Sequence, residues 1–120
     1  MQTPVFKALN TDAVRRFVGT TPARIYAFGA APQNALRPYI VHQMIAVTPF
    51  ARLHGAPKSD RHLVQVDVYA DDPQQASQLA TAVRDALDAA GVPNNLTLQH
   101  REAETGLYRY AFDAHFILPR

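Results

Sequence analysis

The stretch LVQVDVYADDPQQASQLATAVRDAL, residues 63–87, decides the fold. Val64, Val66 and Val68 recur at every second position, so they share one face of a strand predicted over residues 62–70. Leu63, Gln65, Asp67 and Tyr69 share the other face. Asp72-Pro73-Gln74-Gln75 then reads as a helix start. Asp72 caps, Pro73 sits at the first helical position, where its missing N–H has no partner to lose, and Gln75 is placed to complete a capping box. Ala76, Leu79, Ala80, Val83, Ala86, Leu87 and Ala90 form a stripe at helical spacing, with Gln75, Gln78, Arg84, Asp85 and Asp88 largely off it. The small Ala residues let such a helix lie close against a sheet. Gly91 ends it and Pro93 bars its continuation.

Toward the N-terminus, Thr3 before Pro4 fits an N-cap with Pro at the first helical position. Val5, Phe6, Leu9, Ala13, Val14 and Phe17 continue at helical spacing, interrupted at Asn10-Thr11-Asp12. Residues 4–18 are therefore one broken helix or two short ones, with Thr11 as the second cap and Gly19 at the end. Residues 24–28, RIYAF, form a short strand, and residues 29–38 form a loop rich in turn residues. A strand follows over 39–47, with Tyr39, Val41, Gln43, Ile45 and Val47 on one face and Ile40, His42, Met44 and Ala46 on the other. Both faces are apolar enough to predict cover on both sides. Residues 48–61 read as the longest irregular stretch, and loops of that length are usually functional or mobile.

Beyond the helix, residues 95–101 and 107–118 read as two strands of a hairpin. EAETG turns between them, with Gly106 in the positive-φ position. Leu96, Leu98, Tyr108, Tyr110, Phe112, Ala114 and Phe116 are the core positions expected there. The order α-β-β-β-α-β-β has no β-α-β series with glycine loops. It predicts an α+β fold: a mainly antiparallel sheet of four to five strands with helices packed on one face. At 120 residues the chain is one domain, residues 1–120, long enough to bury a core.

Composition narrows the chemistry. The formal net charge is +2, too small to suggest an electrostatic nucleic-acid binder. Ten of the twelve basic residues are Arg. Arg pairs bidentately with carboxylates and suits protein interfaces, although a GC-rich genome produces the same excess. With no Cys, disulfides and thiolate sites are excluded. No apolar run is long enough to span a bilayer, and the N-terminus has no secretory pattern, so a cytosolic origin is expected. His42, His54, His62, His100 and His115 lack the i, i+4 spacing of a zinc pair; His62, His100 and His115 lie on predicted strands, where ordinary sheet histidines are the reading. Asp71-Asp72 is a helix cap rather than a catalytic pair. Arg101, Tyr108, Arg109 and Tyr110 come nearest to a nucleic-acid stripe, but the tyrosines and Arg109 fall on opposite strand faces. No catalytic residue, cofactor or metal is expected. Surfaces remain: the face of Leu63, Gln65 and Tyr69, the neighbouring Arg109, Asp113 and His115, and the 48–61 loop.

The segments RIYAFGAAPQNALRPYIVHQMI (24–45) and VQVDVYADDPQQASQLATAVRDALDA (64–89), after a short helix pair ending in Val18-Gly19, resemble the phage tail-completion proteins, the tail-terminator class of long-tailed phages and prophages. Arg61 to Leu87 carries the most specific part of the pattern, and Pro38-Tyr39-Ile40-Val41 a second part. The resemblance covers nearly the whole chain and includes no catalytic motif. It implies a virion subunit, made in the bacterial host cytoplasm, that assembles with itself into a ring, usually a hexamer. The ring caps the tail-tube protein and joins the neck or head-completion protein, with DNA only as transiting cargo and no membrane partner. Arg52, His54, Lys58, Arg61, Tyr69 and Arg109 are the interface residues expected. A neck or head-completion adaptor of similar size is the alternative, and a small ligand-binding domain a further one.

Overall fold

The computed structural model describes residues 3–50 and 58–120. Two short helices open the chain, α1 (Val5–Leu9) and α2 (Asp12–Val18). Strands β1 (Ile25–Ala27), β2 (Tyr39–Pro49) and β3 (Ser59–Ala70) follow, then helix α3 (Pro73–Ala89) and strands β4 (Asn94–Arg101) and β5 (Tyr108–Pro119). The five strands form one sheet in the order β1-β2-β3-β5-β4. Only the β1–β2 pair is parallel; the other three pairs are antiparallel. The fold is the α+β sheet with helices that the residue pattern predicts.

The alternation on β3 is realised as read. His62, Val64, Val66, Val68 and Ala70 are buried under the helices. Ile40 on β2 and Phe112, Ala114 and Phe116 on β5 lie beside them in the same layer. The stripe of α3 closes this layer with Ala76, Leu79, Ala80, Ala82, Val83, Ala86 and Leu87, while Ala90 stays exposed. Val5, Leu9, Val14 and Val18 from α1 and α2 complete the core. Each fully buried Leu, Ile or Val contributes about 1.5–3 kcal/mol, so this shared layer holds three helices and four strands together.

The helix ends follow local chemistry, with one correction. Asp72 accepts from Gln75 N at 2.9 Å, and Thr11 accepts from Val14 N at 3.4 Å. Gly19, Gly91 and Gly106 adopt positive φ, as helix and turn ends require. Thr3, however, does not cap α1. The cap residue is Pro4, and Thr3 Oγ1 instead lies 2.7 Å from Nδ1 of the buried His62. A tertiary partner outcompetes the local one.

Three further expectations change, the last being that Leu96 and Leu98, expected in the core, are exposed on β4. First, both ends of the stretch 48–61 are strand rather than loop: β2 runs on to Pro49 and β3 begins at Ser59, while residues 51–57 lie outside the described residues. Phe50 N bonds Ser59 O at 2.9 Å and continues the ladder. Hairpin pairing recruits residues whose own alternation is weak. Second, the register of β2 shifts between Met44 and Ala46, where a bulge reverses the faces. Ala46 therefore lies opposite Leu63, and Val47 opposite His62. Nor is β2 covered on both sides: Met44, Ile45 and Ala46 are exposed.

Candidate assembly surface

The sheet face opposite the helices carries no covering layer among the described residues. Its pattern follows from register. Tyr39 pairs with Tyr69 and Tyr69 with Arg109; Val41 pairs with Asp67 and Asp67 with Ala111. Strand alternation therefore sets three tyrosines and an arginine in one row across four strands, since Tyr26 on β1 pairs with Val41 next to Tyr39.

The row is packed. Tyr39 and Tyr69 stack with ring centroids 5.0 Å apart and 19° between planes. Tyr26 meets Tyr39 edge-on at 6.1 Å. The Arg109 guanidinium lies over Tyr69, 5.9 Å from the ring centroid. Arg109 also donates from Nη2 to Asp67 Oδ1 at 3.2 Å, and Gln65 Nε2 donates to Asp67 Oδ2 at 3.0 Å. Asp67 is only 6% exposed although it lies on the uncovered face. Its neighbours screen it from water, and these donors satisfy its carboxylate oxygens.

Burial pushes the Tyr69 phenol up to about 12; the Arg109 charge opposes that rise and the Asp67 charge adds to it. Burial is also the largest cause raising Tyr39. Burial lowers His42, which points to the helix side. The arrangement is a neutral aromatic row ending in one ion pair. It offers flat contact area and a fixed charge pattern, but no nucleophile beside a base.

The expected interface residues fall into separate places. Tyr69 and Arg109 are in contact. Lys58 and Arg61 are exposed near the far end of β3, and Arg61 lies eight residues from Tyr69 on the same face, about 26 Å away at the strand rise. Arg52 and His54 lie outside the described residues. The histidines do not converge: His62 pairs with Phe116, His115 with Leu63 and His100 with Arg109. Among the described residues, no group of three His, Asp or Glu side chains is placed to hold a metal ion. No helix among them is long and apolar enough to cross a membrane.

The sequence reading missed Tyr26 and Tyr39 as members of the row, and Asp67 as its buried anchor. Tyr39 was visible on its strand face, but which strands stand side by side is not written in periodicity. A groove of ≈ 710 Å³ was also missed; it runs between α1, the end of α3 and the last residues of β5.

Residues 3–118 match the model of the tail completion protein gp17 family. The chain belongs to that family, which makes it a phage tail structural protein and a component of the virion. Its fold is similar to that of a chain in the solved structure of the virion of a native gene transfer agent (GTA) particle, with a TM-score of 0.72 at 19% identity. The likeness covers 97% of this chain and 92% of the other. Comparison with curated proteins gave no match.

Proposed function

We propose that this chain is a tail terminator: copies assemble head to tail into a closed ring, six being the number the resemblance implies. The ring caps the finished tail tube and offers the joining surface for the neck. DNA passes through its opening as cargo. The role is one of shape, without catalysis. The observation that carries this reading is a family match over nearly the whole chain, on a sheet that helices cover from one side only. A cyclic ring repeats one heterologous interface, so each subunit needs two unlike surfaces. The tyrosine row with its Arg109–Asp67 pair can fix register through charge complementarity. The gene transfer agent neighbour belongs to a virion particle, which agrees with such a place here.

The test is negative-stain microscopy of tails made with and without the protein. Overlong or head-free tails in its absence support the terminator. Normal tails refute it. A pull-down that recovers portal-side proteins but no tube protein would instead assign the neck adaptor role.

A further inference from the structure

The sheet is five strands wide at one end and three at the other. β1 stops at Ala27, opposite His42, and β4 begins at Asn94, opposite Ala114. Beyond those points only β2, β3 and β5 remain among the described residues. This leaves two bare strand edges at the same end of the sheet, on opposite flanks.

Which groups these edges present follows from the backbone hydrogen bonds. Phe50 N bonds Ser59 O, so Phe50, Thr48 and Ala46 face β3, while Val47 and Pro49 face outward. Arg120 N bonds Lys58 O and His115 N bonds Pro93 O. Residues 116, 118 and 120 therefore face β3, while His115, Ile117 and Pro119 face outward. Pro93 has no N–H to give back, so the His115 carbonyl gains no ladder partner there.

The flanks are unlike in shape. Along the β2 edge Met44, Ile45 and Phe50 protrude, each more than 40% exposed. Along the β5 edge runs the ≈ 710 Å³ groove, lined by Ala86, Ala90, Val92, Ile117 and Leu118 among others. His115, which lines it too, has a buried Nδ1 with no hydrogen-bond partner among the described residues. Protruding apolar side chains on one flank and an apolar groove on the other make a second copy of this chain the fitting occupant.

The geometry points to a joint in which the β2 edge of one copy adds to the β5 edge of the next. This rests on the ring reading above and names its contact. β2 and β5 both run antiparallel to β3, and rotation about an axis along the strands preserves direction, so the joint is a parallel pair. One register then lets both outward groups of Val47 bond, since opposite Leu118 its carbonyl would need an N–H from Pro119, and opposite Ala114 the His115 N–H already bonds Pro93 O. With Val47 opposite Phe116 of the neighbouring copy, Val47 N–H donates to the His115 carbonyl and Ile117 N–H donates to the Val47 carbonyl. One step further would require an N–H from Pro49 or Pro119, and neither has one. The joint is thus limited to two backbone hydrogen bonds plus the apolar contacts. Prolines at both edges also guard against longer, unregistered strand pairing. A ring joined in this way carries a continuous barrel of three strands per copy, and barrels of roughly 16–18 strands enclose an open channel.

In this register Thr48 faces Ile117 of the next copy on the same sheet face, within disulfide reach. The chain has no other cysteine. Thr48→Cys with Ile117→Cys, oxidised in solution and in assembled virions, should give a ladder of cross-linked species on denaturing gels that ends at the full ring; either single variant should give none. Val47→Pro, which removes one outward N–H, should abolish rings in native mass spectrometry while circular dichroism remains native. Rings that form without cross-linking, or that survive Val47→Pro, overturn this joint and leave the ring reading standing. A chain that forms no ring in solution or on virions overturns both. If Val47→Pro fails to fold, the cysteine pair decides alone.

Discussion

Replacing Asp67 by Ala should destabilise the chain by about 2–3 kcal/mol, which is large for a residue on an uncovered sheet face. Exposed ion pairs contribute roughly 0–1 kcal/mol, so a surface reading of the Arg109–Asp67 contact predicts almost nothing. Burial argues otherwise. The Asp67 side chain is 9% exposed and that of Arg109 is 22% exposed. Loss of the carboxylate strands the guanidinium and the Gln65 amide, and leaving a buried donor unsatisfied costs about 1–3 kcal/mol, more for a charged group. The contact distances of 3.2 and 3.4 Å and the solvent still reaching Arg109 keep the value below the roughly 3–5 kcal/mol of a fully buried broken pair. For a chain of this size, 2–3 kcal/mol corresponds to a fall in Tm of about 8–12 °C. Urea unfolding monitored by circular dichroism would measure it. Arg109→Met and the double variant would complete a thermodynamic cycle with an expected coupling of about 1–2 kcal/mol. If Asp67→Ala shifts stability by less than about 0.5 kcal/mol, the network is an ordinary surface contact and the burial argument fails.

Other positions give independent checks. Leu87→Ala empties a site with no solvent exposure under the sheet and should cost about 2–5 kcal/mol by denaturant unfolding. Asp72→Ala removes the cap of α3 and should cost about 1 kcal/mol, with Asp72→Asn restoring most of it. Because the folded state raises Tyr69 from 10.0 to about 12, its neutral form favours folding; that contribution is complete below about pH 10 and is lost as pH rises toward 12. Tyr69→Phe should flatten this part of the stability profile, and absorbance titration of the folded wild type should show late-ionising phenols, of which the latest is lost in Tyr69→Phe.

Much of this molecule is set by short-range pattern. Val64, Val66 and Val68 specify a half-buried strand because side chains alternate at a period of two. The alanine-rich stripe after Asp72-Pro73 specifies a helix against that strand because its period is 3.6. The lack of cysteine, of paired metal-ligand spacing and of a phosphate loop is likewise a matter of residue identity. Strand order, register and edge exposure are different, because they depend on residues far apart in the chain. Periodicity could not show that a bulge after Met44 exchanges the faces of Ala46 and Val47, or that Thr3 prefers His62 to the α1 cap. Nor could it place Tyr26, Tyr39, Tyr69 and Arg109 in one row, because cross-strand neighbours are chosen by the hydrophobic layer on the other side of the sheet. The two bare edges exist because β1 and β4 are short and lie on opposite flanks. Pairing sets how far each strand extends, as where β2 runs on to Pro49, and only the folded sheet decides which strand stands beside which gap.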